Sequence, residues 1–161
     1  MLVGITLDSQ TLTFEDDDGW VRTWSVSTAA QGPGEHNGSG GTPRGEHVIR
    51  AKIGAGRPAG AVFRGRRFTG EIHSPELAQQ YPQRDWILSR ILWLSGREPG
   101  FNRLGSVDSM RRFIYIHGTP DTEPMGVPAS HGCIRMRNDD VMELFERVPV
   151  GCPVLIREHS Q

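Results

Sequence analysis

Glycine and proline are frequent along almost the whole of this chain, and their frequency limits the folds open to it. The 161 residues include 20 glycines and 11 prolines, a content that favours many short strands joined by turns over a helical bundle. The chain is long enough to bury a hydrophobic core without disulfide bonds. We therefore predict one domain covering residues 1–161.

The charge of the chain argues against a nucleic-acid partner. Its formal net charge is -1, and its few arginine clusters form local patches rather than an extended positive surface. No segment is long and apolar enough to span a bilayer, so we expect no membrane partner. The first residues, MLVGITLDSQ, show no basic start, apolar run or cleavage site of a secretory signal. The expected location is the cytoplasm, or the periplasm if a leader has been removed.

Patterns of apolar residues predict mainly β structure. The segment around Asp18-Gly19 alternates apolar and polar residues, which predicts two or three antiparallel strands with a hairpin turn there. Residues 30–47 are rich in turn formers and predict a surface loop. Residues 85–96 fit a buried helix or a strand, and we prefer a strand. Further strands are predicted in four segments, 47–56, 61–72, 111–118 and 152–158.

Two helices are predicted. The segment SPELAQQYPQRD opens at Ser74 and stops near Pro82. The segment RNDDVMELFERVPVG has Asn138 or Asp139 as a cap and acidic residues in its first turn. Its apolar stripe comprises Val141, Leu144, Phe145 and Val148.

Reactive side chains are concentrated between the strand ending at His117 and the second helix. Cys133 follows Gly132, which permits a backbone turn that a side chain would block. Such a turn exposes the sulfur beside converging N–H groups, the geometry that binds the oxyanion of a tetrahedral intermediate. A thiolate is the attacking species, and a nearby imidazole generates it or pairs with it. The pattern therefore predicts cysteine acyl transfer.

His117 and His131 are both candidates for the base. We favour His117, because the end of a strand holds a side chain rigidly. No nearby carboxylate stands out as the group that orients the imidazole, so a backbone carbonyl such as that of Gly118 is a candidate.

Other interpretations of these residues are open. Cys133 beside a glycine also fits an inert packed residue, and Cys133 and Cys152 could form a disulfide outside a reducing compartment. His117, His131 and Cys133 could belong to a metal site, but no second close pair of ligands accompanies them. We expect no metal and no cofactor.

The stretch HGTPDTEPMGVPASHGCIRMRN resembles the signature of the YkuD, or L,D-transpeptidase, family: a histidine, a spacer and then Ser/Thr-His-Gly-Cys. The early strands, the segment NGSGGTPRGEHVI and the closing VPVGCPVLI are also similar to that family, so the resemblance covers about residues 2–156. It implies a mainly β, YkuD-like sandwich or barrel of mixed strands. One clear helix would follow the catalytic cysteine, and a short helical lid is a further option.

The same resemblance implies roles for individual residues. Cys133 would be the nucleophile and His117 its base, oriented by the Gly118 carbonyl. The amides of His131, Gly132 and Cys133 would form the oxyanion hole. Three further site residues are predicted, Ser130, Arg135 and Tyr115. Ser130 would support the site, and Tyr115 would face the substrate. Arg135 would either clamp a substrate carboxylate bidentately or pair with an acid in a loop.

Two features depart from the family pattern. The spacer between His117 and Ser130 has 12 residues, fewer than is usual, which bears on the shape of the substrate groove. The position two after the cysteine, often Asn in the family, is Arg135 here.

The resemblance implies a peptidoglycan stem tetrapeptide as the acyl donor and sensitivity to carbapenems. We expect a cytosolic L,D-carboxypeptidase that releases the terminal D-Ala during murein recycling. The alternatives are an L,D-transpeptidase that forms 3-3 cross-links or exchanges D-amino acids, and a non-catalytic module that binds wall peptides. The sequence does not indicate an oligomeric state.

Overall fold

The computed structural model describes residues 1–160. Ten strands form one curled, mixed sheet, which confirms the predicted mainly β fold. The strands are β1 (Leu2–Thr6), β2 (Thr11–Glu15), β3 (Val21–Ser25), β4 (Gly45–Ile53), β5 (Ala61–Arg64), β6 (Arg67–Ile72), β7 (Ile87–Gly96), β8 (Tyr115–Gly118), β9 (Ile134–Met136) and β10 (Pro153–Arg157). The helices are α1 (Pro75–Gln80), α2 (Asn138–Arg147) and a 3-10 turn, Gly105–Val107.

The sheet has a main path and a short branch. Along the path the order is β3-β2-β1-β10-β4-β7-β5-β6, and β8 branches from β7 to pair with β9. Two pairs are parallel, β1 with β10 and β8 with β9, while the others are antiparallel. The predicted hairpin around Asp18-Gly19 is confirmed as the β2–β3 connection. The preference for a strand over residues 85–96 is confirmed by β7.

The main core lies between one face of the sheet and α2. The predicted apolar stripe of α2 is buried in this core together with side chains of β1, β2, β8 and β9, including Val3, Ile5, Leu12, Ile116 and Ile134. Burial of this area is the dominant source of stability for a chain with no disulfide.

Both predicted caps of α2, Asn138 and Asp139, are wrong. The residue before the helix is Arg137, which makes no side-chain capping bond, and Asn138 is the first helical residue. Its side chain is used elsewhere: Asn138 Nδ2 donates to Thr119 O at 2.9 Å, and its Oδ1 accepts from Ser89 Oγ. The Asn138 side chain therefore makes tertiary contacts with Thr119 and Ser89 instead of capping its own helix.

The branch of the sheet positions the reactive segment. Along β8, Ile116 faces the main core with Ile114 beside it, while Tyr115 packs on the other side against Ala61, Phe63 and Ile91. The register of β7 against β8 shifts between Leu88 and Ile91, around Ser89 with a φ of 70°. Such a bulge redirects side chains next to it, and here it leaves His117 opposite Ile91.

The first predicted helix is confirmed in a shortened form. It spans six residues, Pro75–Gln80, and Ser74 Oγ accepts the Leu77 N–H at 3.1 Å as a cap. Within residues 1–160 no helix has the length and apolarity that a bilayer crossing requires.

Candidate active site

His117 lies at the end of β8 with its imidazole buried, 2% exposed. Its Nδ1 lies 2.6 Å from the carbonyl oxygen of Gly118. A carbonyl only accepts, so Nδ1 carries the ring proton and Nε2 keeps a lone pair. The backbone carbonyl of Gly118 thus occupies the place that a carboxylate fills in a Ser-His-Asp triad.

A side chain at Gly118 would destroy this arrangement. A Cβ there would lie 2.5 Å from Leu88 O and 2.6 Å from Asn138 Oδ1, both too close for real contacts. The glycine allows β8, β7 and the start of α2 to converge behind the histidine.

Burial lowers the pKa of His117 below its usual value, although the bond to the Gly118 carbonyl acts in the opposite direction. The ring is therefore neutral near pH 7 and can act as a base. Asp85 and Arg135 also act on its pKa, Asp85 raising it and Arg135 lowering it.

The turn that carries Cys133 is held by the serine three residues earlier. Ser130 Oγ donates to Cys133 O at 2.6 Å and accepts from the Gly132 N–H at 3.2 Å. Gly132 has a φ of 134°, and a Cβ there would approach Gly41 O to 3.3 Å. The predicted need for glycine before the cysteine has this structural reason.

Residues of the predicted surface loop reach into the site. Thr42 is buried, donates through Oγ1 to Gly132 O at 2.9 Å, and accepts from Ala29 N–H at 3.0 Å. Arg112 Nη2 donates to Gly41 O at 2.7 Å, and Nη1 donates to Gly34 O at 2.9 Å. This part of the loop is packed against the catalytic turn, so the prediction of a surface loop is wrong for it.

The sulfur of Cys133 makes two contacts with the backbone around the start of β8. It donates to Phe113 O at 3.3 Å and accepts from Tyr115 N–H at 3.4 Å. Within residues 1–160 no hydrogen bond joins this sulfur to His117. Tyr115 lies beside Cys133, and His117 lies opposite Arg135 in the parallel β8–β9 pair. Because side chains two residues apart in a strand point to the same face, the side chains of His117 and Cys133 share one face of this pair.

Burial raises the pKa of the Cys133 thiol to about 11. The Tyr115 N–H and the guanidiniums of Arg135 and Arg112 lower it, whereas the negative charge of Asp85 raises it. With a neutral imidazole beside it, the resting pair is a thiol and a base. Of the two predicted roles of the imidazole, generating the thiolate during attack is favoured over pairing with a preformed thiolate, because burial disfavours charge separation.

The predicted oxyanion donors are not equivalent. The Gly132 amide is already bonded to Ser130 Oγ. The amides of His131 and Cys133 have no acceptor within the described chain, which leaves them available for a developing negative charge.

Arg135 forms an ion pair with a loop acid, the second of its two predicted roles. Its Nη2 lies 3.1 Å from Asp85 Oδ1, and Nη1 donates to Ala129 O at 3.3 Å. The Arg135 side chain is 10% exposed and that of Asp85 51%. His131 Nδ1 lies 3.7 Å from the other oxygen of Asp85, so one carboxylate links both flanks of the turn.

Tyr115 is buried, and its hydroxyl accepts from Arg66 Nη1 at 3.0 Å. Ser130 is also buried with its hydroxyl fully used by the turn. Both are placed beside the nucleophile. Ser130 supports the backbone, and contact of either with substrate stays a prediction.

Three supporting residues were missed by the sequence analysis: Thr42, Asp85 and Arg112. Thr42 belongs to the Thr-Pro-x-Gly segment, which carried the only available signal. Asp85 and Arg112 lie in unremarkable charged stretches, and only the fold brings them to Cys133.

No group of three or more His, Cys, Asp or Glu side chains suited to a metal occurs in the part of the chain described. Both cysteines are free thiols.

Comparison with known proteins gives the family of the chain. The profile of the YkuD family, described as an L,D-transpeptidase catalytic domain, matches residues 2–156. The chain belongs to this family. A curated relative, the putative L,D-transpeptidase YqjB of Bacillus subtilis, is 43% identical over 68 residues, which are 42% of this chain and 37% of the relative.

Solved structures share the fold. An L,D-transpeptidase from Mycobacterium smegmatis superposes with a TM-score of 0.54 at 21% identity, covering 97% of this chain and 58% of that one. The L,D-transpeptidase LdtMt1, solved in complex with imipenem, gives 0.55 at 18% identity, covering 96% of this chain and 57% of that one. The chain thus spans less than two thirds of the length of these relatives.

Proposed function

We propose that this chain is a cysteine L,D-carboxypeptidase that removes the terminal D-Ala from peptidoglycan stem tetrapeptides. The supporting observation is the buried His117 imidazole, fixed through Nδ1 by the Gly118 carbonyl and carrying its lone pair on Nε2 on the face of Cys133. Membership of the L,D-transpeptidase family supports a peptidoglycan peptide as the substrate class.

Acylation begins with movement of the sulfur. Rotation about the Cα–Cβ bond of Cys133 takes Sγ from Phe113 O towards Nε2 of His117. Substrate binding commonly tightens catalytic hydrogen bonds of this kind. His117 takes the thiol proton as the sulfur attacks the carbonyl before D-Ala, and the amides of His131 and Cys133 hold the oxyanion.

The intermediate then collapses. The imidazolium of His117 gives its proton to the leaving amine, D-Ala departs, and the peptide remains as a thioester on Cys133. His117 next takes a proton from water, which attacks the thioester. The sulfur leaves with the proton returned by His117, and the products are tripeptide and D-Ala.

A cavity lies beside the catalytic turn, next to Arg135. This cavity of about 140 Å³ is lined by residues of the β6–β7 connection, the loop after β8, and the side chains of His131 and Arg135.

Arg135 supplies a candidate contact for the leaving residue. Its guanidinium lies at this cavity and is paired with the half-exposed Asp85. A terminal carboxylate of the substrate can replace Asp85 on the guanidinium and bind it bidentately. Arg135 then pairs with Asp85 in the free protein and with the substrate carboxylate in the complex.

The test is a product assay with purified stem tetrapeptide in water enriched in heavy oxygen, with an added D-amino acid. Hydrolysis places one heavy oxygen in the tripeptide carboxylate and releases D-Ala, both of which mass spectrometry detects. Cys133→Ala is the inactive control, and Cys152→Ala is the matched cysteine control.

Other products would contradict the proposal. Peptide dimers or D-amino-acid exchange as the main product would identify an L,D-transpeptidase. Tetrapeptide binding without any product, together with failure of imipenem to add its mass to Cys133, would identify a wall-peptide binding module.

The compartment is part of the proposal. A free tetrapeptide, rather than polymeric wall, is the substrate expected in the cytosol during murein recycling. Fractionation of cells that make the full natural protein tests this, and recovery of the protein outside the cytoplasmic membrane would contradict it.

A further inference from the structure

A second cavity, of about 470 Å³, lies away from the catalytic residues. It is bounded by β4, the end of β7, the segment before β8 and the turn at Val150–Gly151. None of the predicted catalytic or oxyanion residues lines it. Its volume falls within the usual range of small-molecule sites.

Four arginines line this cavity: Arg50, Arg97, Arg103 and Arg111. All four are exposed, and none of their side chains makes a hydrogen bond or an ion pair within residues 1–160. By contrast, Arg44 and Arg135 each pair with a carboxylate. A chain with a net charge of -1 thus concentrates unneutralised positive charge at one cleft.

The one acid in the lining does not neutralise these arginines. Asp108 accepts from the backbone N–H of Leu104 at 2.7 Å and of Arg111 at 2.9 Å. Its carboxylate is therefore directed at the backbone of its own turn. The ionised side chains of the lining still leave a net formal charge of +3.

The rest of the lining is apolar or carries an unpaired hydroxyl. Leu104 and Val150 line the cavity while 54% and 59% exposed. Ser95 Oγ is buried and has no hydrogen-bond partner in the described chain. A buried hydroxyl without a partner is costly, and an acceptor bound in the cleft is one way to satisfy it.

We propose that this arginine cleft, defined by Arg50, Arg97, Arg103 and Arg111, binds a small phosphate ester carrying two or more negative charges. Guanidinium groups bind phosphate oxygens bidentately, and a net charge of +3 matches a diphosphate better than a single carboxylate. The apolar wall at Leu104 and Val150 accommodates the organic part of the ester. The cleft is too small and local to hold an extended polyanion.

The cleft is next to the catalytic region without being part of it. Arg50 stacks on the Trp93 ring at 5.4 Å, and Trp93 Nε1 donates to Met110 O at 3.1 Å. The same ring contacts Tyr115 edge-on at 6.2 Å. A bound diphosphate therefore alters the surroundings of Trp93, which makes tryptophan fluorescence a second readout.

The experiment titrates the whole chain with sodium pyrophosphate by calorimetry at low and at physiological salt. We expect saturable one-to-one binding that weakens with salt. The double variant Arg103→Gln/Arg111→Gln should bind at least about tenfold more weakly, because two charge-assisted contacts are lost. The matched control is Arg64→Gln/Arg67→Gln, which removes the same charge from an exposed hairpin and should change affinity less than about twofold by screening.

Two further arms sharpen the test. A nucleoside diphosphate that binds as tightly as pyrophosphate or more tightly supports an ester with an organic part. Citrate binding as tightly as pyrophosphate would overturn the preference for phosphate. Equal weakening in both double variants, or no saturable binding by the wild-type chain, would overturn the site itself.

The proposal stands apart from the catalytic one. Cys133→Ala should bind pyrophosphate with unchanged affinity, whatever the product assay shows. Loss of pyrophosphate binding in a folded Cys133→Ala protein would contradict a separate site.

Discussion

The molecule contains a histidine and a cysteine at each of two strand pairs, and the two pairs differ in which side-chain atoms lack a partner. His117 and Cys133 lie at β8 and β9, while His47 and Cys152 lie at β4 and β10. Both histidines are buried. In each, Nδ1 faces a backbone carbonyl, that of Gly118 at 2.6 Å and that of Gly45 at 3.1 Å.

The two pairs differ in whether the second ring nitrogen has a partner and whether the sulfur is accessible. His47 Nε2 is bonded to Ser109 Oγ at 2.8 Å, so both nitrogens of that ring have partners. Cys152 is packed in the main core and 2% exposed. His117 keeps a free Nε2, and Cys133 is partly accessible on a glycine turn. Proximity of a histidine and a cysteine is therefore insufficient, because a reactive pair also needs an unused lone pair and an accessible sulfur.

The largest contrast is expected from removing each sulfur. Cys133→Ala should lower tripeptide formation by at least about 10³-fold, as loss of a nucleophile does. Cys152→Ala should keep activity within about twofold but lower the free energy of unfolding by about 1–2 kcal/mol, because it leaves a small cavity. Product assays and denaturant unfolding measure the two effects. Comparable activity losses in both variants would erase the distinction.

The histidines provide the next contrast. His117→Gln should lower kcat by about 10²–10⁴-fold through loss of the base and leave the fold intact. His47→Gln should leave kcat nearly unchanged and lower the free energy of unfolding by about 1–3 kcal/mol, since it disturbs the bond to buried Ser109. Steady-state kinetics and thermal unfolding separate these outcomes. A His117→Gln protein with wild-type kcat would rule out this base.

The pH dependence of stability should report His47. Burial lowers its pKa from 6.5 to about 4. Between these values the unfolded chain binds a proton that the folded chain excludes, so stability rises with pH and is fully present above pH 6.5. As pH falls to about 4 the loss approaches roughly 3 kcal/mol.

Denaturant unfolding of the wild type and His47→Gln over this pH range measures the effect. The variant should lack this part of the slope. Identical slopes in the two proteins would show that His47 is not the group responsible.

The smallest effect is expected at Asp85, whose charge acts on His117 and Cys133 but not on His47 or Cys152. Its negative charge raises the pKa of Cys133, so Asp85→Asn should lower that pKa and speed alkylation of Cys133 a few-fold near pH 9. Iodoacetamide labelling followed by peptide mass spectrometry measures the rate. Asp18→Asn, at an exposed turn, is the matched control, and a slower rate in Asp85→Asn would reverse the assigned sign.

Much of the local structure could be predicted from sequence. Alternation predicted the β2–β3 hairpin, and the apolar stripe of α2 is buried as expected. These predictions succeed because side-chain periodicity directly reflects which face an element buries. The strand predicted over 111–118 is confirmed only for its second half, β8, because residues 111–113 form a turn before it. The cap of α2 failed, since Asn138 is used in a contact with Thr119 that local sequence does not encode.

The sequence by itself predicted Cys133, His117 and Gly118 as a reactive set, because the residue types and the glycine turn point locally to that chemistry. Only the tertiary structure decided which nitrogen of His117 is free, that the sulfur rests on Phe113 O, and that Asp85, Thr42 and Arg112 surround the turn. It also brought Arg50 of β4 into one cleft with Arg97, Arg103 and Arg111. Contacts between residues far apart in the chain depend on strand order and register, and these are fixed by packing of the whole sheet.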